Sequence, residues 1–155
     1  MKAITINLIG GLAGALALNI LHETYKRLDS DAPQVDLIGE EAVTKIVEST
    51  GNDAPEGEIL FGVTLVSDII SNALYYSLIG VGKKKNILLR GAGYGLVAGA
   101  GTLTLTEPMG LDDAPVTKTT KTKILTLAWY VAGGLVAALV IKKLKKKSAA
   151  KELVF

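Results

Sequence analysis

The sequence predicts an all-α integral membrane protein: a four-helix bundle of two in-out-in hairpins, with a short amphipathic helix in the first outer loop. Three observations carry this. Four apolar stretches of about 18 to 24 residues recur along the chain, and roughly 20 helical residues cover a hydrocarbon core of ~30 Å. The mean hydropathy is positive while aromatics make up only 5% and glycines number 17, a balance suited to close helix packing in lipid rather than to a soluble core. Basic and acidic residues fall into separate connecting segments. At 155 residues the chain is read as a single polytopic membrane domain, 1–155.

The first span is placed at about 3–23. The opening "MK", the apolar run and "ALA" at 15–17 also resemble a secretory signal with an A-x-A cleavage site. The run is long and glycine-rich for such a signal, so an uncleaved span is the expectation.

The first outer loop, Thr24 to Glu58, holds three basic residues against nine acidic ones. Within it, Val35, Ile38, Ala42, Val43, Ile46 and Val47 recur at helical spacing, which predicts an amphipathic helix over about 35–49 on the outer face.

The second span, about 59–82, carries Asp68 inside an otherwise apolar run. Counted at 1.5 Å per residue, this acid lies roughly 13 Å below the outer end, near the midplane. Thr64, Asp68, Ser71, Asn72 and Tyr75 follow at three- and four-residue steps and form one polar stripe. Such a stripe must face protein or a water-filled cavity, because lipid leaves polar groups unpaired. Asp68 is expected either to act as interhelical glue, bonded to Tyr130, to the Asn72 region or to a partner subunit, or to be a proton or cation site.

Lys83, Lys84 and Lys85 follow this span, and Arg90 lies just inside the third, about 86–106, close enough to the edge to snorkel. The fourth span, about 123–142, runs into a basic tail, 142–155, whose Lys142, Lys143, Lys145, Lys146 and Lys147 suit lipid headgroups. Lysine and arginine bias places both termini and the Lys83–Lys85 turn in the cytoplasm of a bacterial inner membrane. Lys118, Lys121 and Lys123 in the second outer loop run against that bias but are outnumbered.

"GLAGALALNILHE" at 11–23 and "GLVAGAGTLTLTE" at 95–107 align without gaps, and "DAP" recurs at 31–33, 53–55 and 113–115. Asp suits an N-cap and Pro a first helical turn, so each copy is expected to open a helix at the outer surface, with the two hairpins echoing each other. Gly10 and Gly14 form a G-x-x-x-G, as do Gly91, Gly95 and Gly99, while Gly133 and Gly134 pair with alanines four residues on. These are the expected packing positions.

A second polar cluster is His22 and Glu23, with Glu107 at the matching place on the third span. "HETYK" lacks the second histidine that a zinc-protease helix needs, so interfacial anchoring is expected and no metal site is assigned. The chain has no cysteine, which excludes disulfides and thiolate metal sites. No nucleophile triad or phosphate-cradling loop appears, and Gly91, Gly93 and Gly95 lie within a span rather than after a strand. The sequence therefore points to a non-enzyme without cofactor or nucleic-acid partner: a packing or accessory subunit contacting the bilayer and a membrane-protein partner or a second copy. The rival is a small proton- or cation-coupled transporter using Asp68.

Overall fold

The computed structural model describes residues 1–82 and 85–152; of residues 151 and 152 only the helical backbone is described, and Lys83, Lys84 and the end of the basic tail lie outside it. The chain is helical, with no strand among the described residues. Its elements are α1 (Ala3–Tyr25), α2 (Val35–Ser49), α3 (Gly57–Ser77, tightening into a 3-10 turn at Leu78–Gly80), α4 (Ile87–Leu105), a 3-10 turn at Glu107–Met109, α5 (Ala114–Thr117) and α6 (Thr120–Glu152).

Three helical stretches are long and apolar enough to cross a membrane: Ala3–Tyr25, Gly57–Gly80 and Thr120–Ala150. α4, read from the sequence as the third span, is 19 residues long but less apolar. Arg90, five glycines and two threonines dilute its leucines and valines. α6 extends past the apolar run because its lysines, alanines and leucine are strong helix formers and neither Gly nor Pro interrupts them.

The long helices pack in the order α3, α1, α6, α4, with α1 seated between α3 and α6 and α4 on the far side of α6. Glycines permit this. A Cβ added at Gly14 would lie 2.6 Å from the Gly133 carbonyl oxygen, and one at Gly91 would lie 2.5 Å from that of Gly134. Gly10 meets Ile141, Gly95 meets the backbone at Tyr130 and Val131, and Gly99 meets Leu127. Gly11, whose neighbour Gly10 faces α6, instead faces α3 at Ala73. Tyr76, Leu18, Ile79 and Ile141 fill the remaining space and are fully enclosed.

The three DAP copies all lie just before or at a helix start: Pro33 two residues before α2, Pro55 two before α3, and Pro115 within α5. None of these starts has a side-chain capping bond. α4 follows Asn86, which adopts φ 64°, a left-handed conformation that Asn tolerates better than most residues.

At one end of the molecule the N-terminal amine meets Ser148 Oγ at 3.3 Å and Lys145 donates to the Gly80 carbonyl. The start of the chain, the last described turns of α6 and Gly80 at the end of α3 are thus together. At the other end the two longer loops are knitted: the Gln34 amide donates to Pro115, Thr122 Oγ1 to Asp31 O at 2.8 Å, the Asp112 amide to Glu41, and Lys118 to Ser30. Lys121 pairs with Asp29 at 2.5 Å. Two of the basic residues that run against the charge bias are therefore matched to the acidic loop beside them.

Candidate functional site

Asp68 sits where α3 crosses α1. Its two oxygens accept from two amides: Asn19 Nδ2 of α1 at 2.8 Å and Asn72 Nδ2 at 2.9 Å, one turn further along α3. Asn19 Nδ2 also reaches the Ala15 carbonyl, and Asn72 Nδ2 the Asp68 carbonyl, each at 3.1 Å. Both amides are thereby fixed in orientation. The carboxylate is held by Asn19 and Asn72 rather than by the Tyr130 phenol.

Thr64, one turn toward the loop end, is buried on the same face, and Asn72 is buried as well. Ser71 is exposed. At 100° per residue it lies 60° to one side of Asp68, whereas Asn72 lies 40° to the other, and only the latter side faces α1. Tyr75 diverges from the group too: its hydroxyl donates to the Tyr94 carbonyl of α4 at 3.0 Å, while neighbouring Tyr76 bonds the Tyr130 carbonyl of α6 at 2.8 Å.

Above Asp68 lies a cavity of about 30 Å³ between α1, α2 and α3. Asn19 and Asp68 line it together with His22 and Thr64, and Glu23 and Asp36 contribute the acidic groups. Phe61 and Leu65 supply apolar wall. α2 closes over this region because Gly39 brings its backbone close to Thr64: a Cβ there would stand 2.6 Å from Thr64 Cγ2. His22 Nε2 and Thr64 Oγ1 are buried without a hydrogen-bond partner among the described residues.

His22 is 9% exposed, stacked at 4.9 Å on Trp129 and meeting Tyr130 edge-on at 6.0 Å. Glu23 lines the same cavity but turns to a charged partner. It pairs at 2.7 Å with Lys26, which also reaches Asp36 of α2 at 2.8 Å and lies 5.4 Å from the centre of the Phe61 ring. Partial burial works against the Lys26 charge, but the bonds to Asp36 and Glu23 prevail and raise its pKa. Glu107 stays exposed on its 3-10 turn and does not join His22. Among the described residues no group of three or more His, Asp or Glu is placed to hold a metal ion.

Lys142, Lys143, Lys146 and Lys147 share the exposed side of the α6 extension, while Lys145 turns inward. Arg90 is half-buried rather than extended to the edge, with Nε and Nη2 enclosed and unpartnered among the described residues. The sequence reading did not single out Asn19 as part of the site. Its polarity within an apolar helix was the available signal, but its role depends on how α1 is rotated against α3. No known family, curated protein or solved structure matches this chain.

Proposed function

We propose that this is a small, non-catalytic, multi-pass membrane protein that serves as a packing or accessory subunit of a membrane complex. In this reading α4 is a fourth span, completing two in-out-in hairpins. Both termini and the Lys142–Lys147 face lie in the cytoplasm of a bacterial inner membrane.

One observation carries the reading: the helices turn an apolar exterior outward while the acid within α3 is bonded inside the chain. Ile4 and Ile20 on α1, Ile70 on α3, Leu89 and Val97 on α4 and Ile124 on α6 are all more than half exposed. Exposed apolar surface on this scale suits lipid and a partner's helices. Asp68, meanwhile, is engaged by two amides within the chain. The test is extraction of the tagged full-length protein from its native membrane in mild detergent, followed by mass spectrometry. A partner at stoichiometric yield supports the subunit reading; recovery alone, or only with itself, overturns it.

A second reading, a small proton- or cation-coupled permease using Asp68, draws on the polar cavity above that residue. Flux into proteoliposomes that disappears in Asp68→Asn would favour it over the first.

A further inference from the structure

We propose that the cavity between α1, α2 and α3 binds one small monovalent cation, held by the Asp68 carboxylate together with the Thr64 hydroxyl and the His22 imidazole. The inference goes beyond the subunit reading, and it requires only occupancy at equilibrium, not passage across a membrane.

Size is the first argument. A cavity of about 30 Å³ accommodates one or two water-sized guests, so a bare sodium ion or a hydronium fits and an organic substrate does not.

The second argument is the unmet hydrogen bonding. His22 and Thr64 are 9% and 4% exposed, yet His22 Nε2 and Thr64 Oγ1 have no partner among the described residues. A buried polar atom left unpaired costs about 1–3 kcal/mol, and both residues line the cavity, so a guest there offers the missing partner. Threonines in helices commonly return the hydroxyl to the carbonyl four residues back, as Thr102, Thr106 and Thr126 do here. Thr64 does not, although it is just as enclosed. Asp68 adds acceptor capacity, because each oxygen receives one amide and retains a lone-pair direction.

Charge is the third argument. Glu23, Asp36 and Asp68 line the cavity, and the cation bonded to the first two is Lys26. Three acidic groups against one basic group favour a positive guest and repel an anion. The donor set is mainly oxygen, and no three-residue metal cluster is present among the described residues, which favours a hard monovalent ion over a transition metal.

Sodium and hydronium share this chemistry. The titratable and charged groups around the site are His22, Glu23 and Lys26 from α1 and its end, Asp36 from α2, Asp68 and Tyr76 from α3, and Tyr130 from α6. Trp129, the single tryptophan, packs 4.9 Å from the His22 ring and reports on the cavity through it.

The experiment is a fluorescence titration of the full-length protein in mild detergent. Sodium chloride is exchanged for choline chloride at constant ionic strength near neutral pH, and a separate pH titration is run in choline alone. A saturable Trp129 response to sodium is expected, weakened at least about tenfold in Thr64→Val and lost in Asp68→Asn. A response to pH alone, displaced by the same substitutions, assigns the guest as hydronium. No response to either, or a response unchanged in both variants, leaves the cavity to water and overturns the proposal. If Asp68→Asn fails to fold, Thr64→Val decides, because valine keeps the methyl that packs on Gly39. A native protein that responds to neither sodium nor pH while a stoichiometric partner stays bound would reject the site and leave the subunit reading standing.

Discussion

Gly91 of α4 and Gly134 of α6 meet backbone to backbone, and a Cβ on either would run into the other's carbonyl oxygen. The adjacent Gly133 faces the opposite way, onto Gly14 of α1. Two consecutive glycines thus let α6 approach a different helix on each side. Gly134→Ala and Gly91→Ala are expected to destabilise the fold by about 1–3 kcal/mol or more, since rigid backbone must move apart. Gly62→Ala and Gly93→Ala, where an added Cβ meets nothing within 4 Å, should be neutral or stabilising by up to about 1 kcal/mol. Reversible unfolding in mixed micelles measures both pairs, and equal losses in all four variants would refute the assignment.

The Asn19–Asp68 bond ties α1 to α3. A double-mutant cycle of Asn19→Ala and Asp68→Ala should give a coupling of about 0.6 kcal/mol, and no more than about 1.7 kcal/mol, the range for interhelical hydrogen bonds in membranes. Additive losses would show that the amide and the carboxylate act separately.

Acid should loosen the junction between the two longer loops. The Lys121 bond holds the Asp29 carboxyl below its ordinary pKa, and the Lys45 bond does the same for Glu41. A carboxylate with a depressed folded pKa contributes stability that is complete above its unfolded pKa, about 4, and is lost as pH falls through the folded value. Hydrogen exchange in α5 and in residues 28–34 should therefore accelerate below about pH 4. Asp29→Asn and Glu41→Gln should flatten that response. A pH response of the same size in both variants would place its origin elsewhere.

The Lys26 bridge carries the opposite sign. Its raised pKa means that its contribution is complete below the ordinary lysine value, near 10.4, and fades as pH climbs through the higher folded value. Exchange at the start of α2 should quicken in that alkaline range, and Lys26→Met should quicken it already at neutral pH. Slow exchange in the variant would count against Lys26 as the tie between α1 and α2.

Gly39→Ala tests whether α2 closes the cavity. The added methyl would stand 2.6 Å from Thr64 Cγ2, so α2 should lift from α3, and Phe61 and Thr64 should become accessible to a small collisional quencher or label. Protection unchanged from the native chain would mean that Thr64 rotates aside and α2 stays seated.

Several features of this protein follow from sequence alone, because they depend on local periodicity. Apolar runs of sufficient length make α1, α3 and α6 recognisable, and 3.6-residue spacing puts Thr64, Asp68 and Asn72 on one face of α3. Four-residue glycine spacing marks surfaces where backbones can touch. Alternating charge in the loops likewise signals which segments are polar. Tertiary packing decided the rest. Rotation of each helix about its axis chose Asn19 as the partner of Asp68, left Ser71 outside, and sent Gly133 and Gly134 to different neighbours. Docking of α2 through Gly39 made His22 and Thr64 walls of one cavity with Asp68. Asn19 and His22 share a face of α1 by their three-residue spacing, but Asp36 of α2 and Asp68 of α3 have no periodic relation to them; only the fit of one helix surface against another brings the four together.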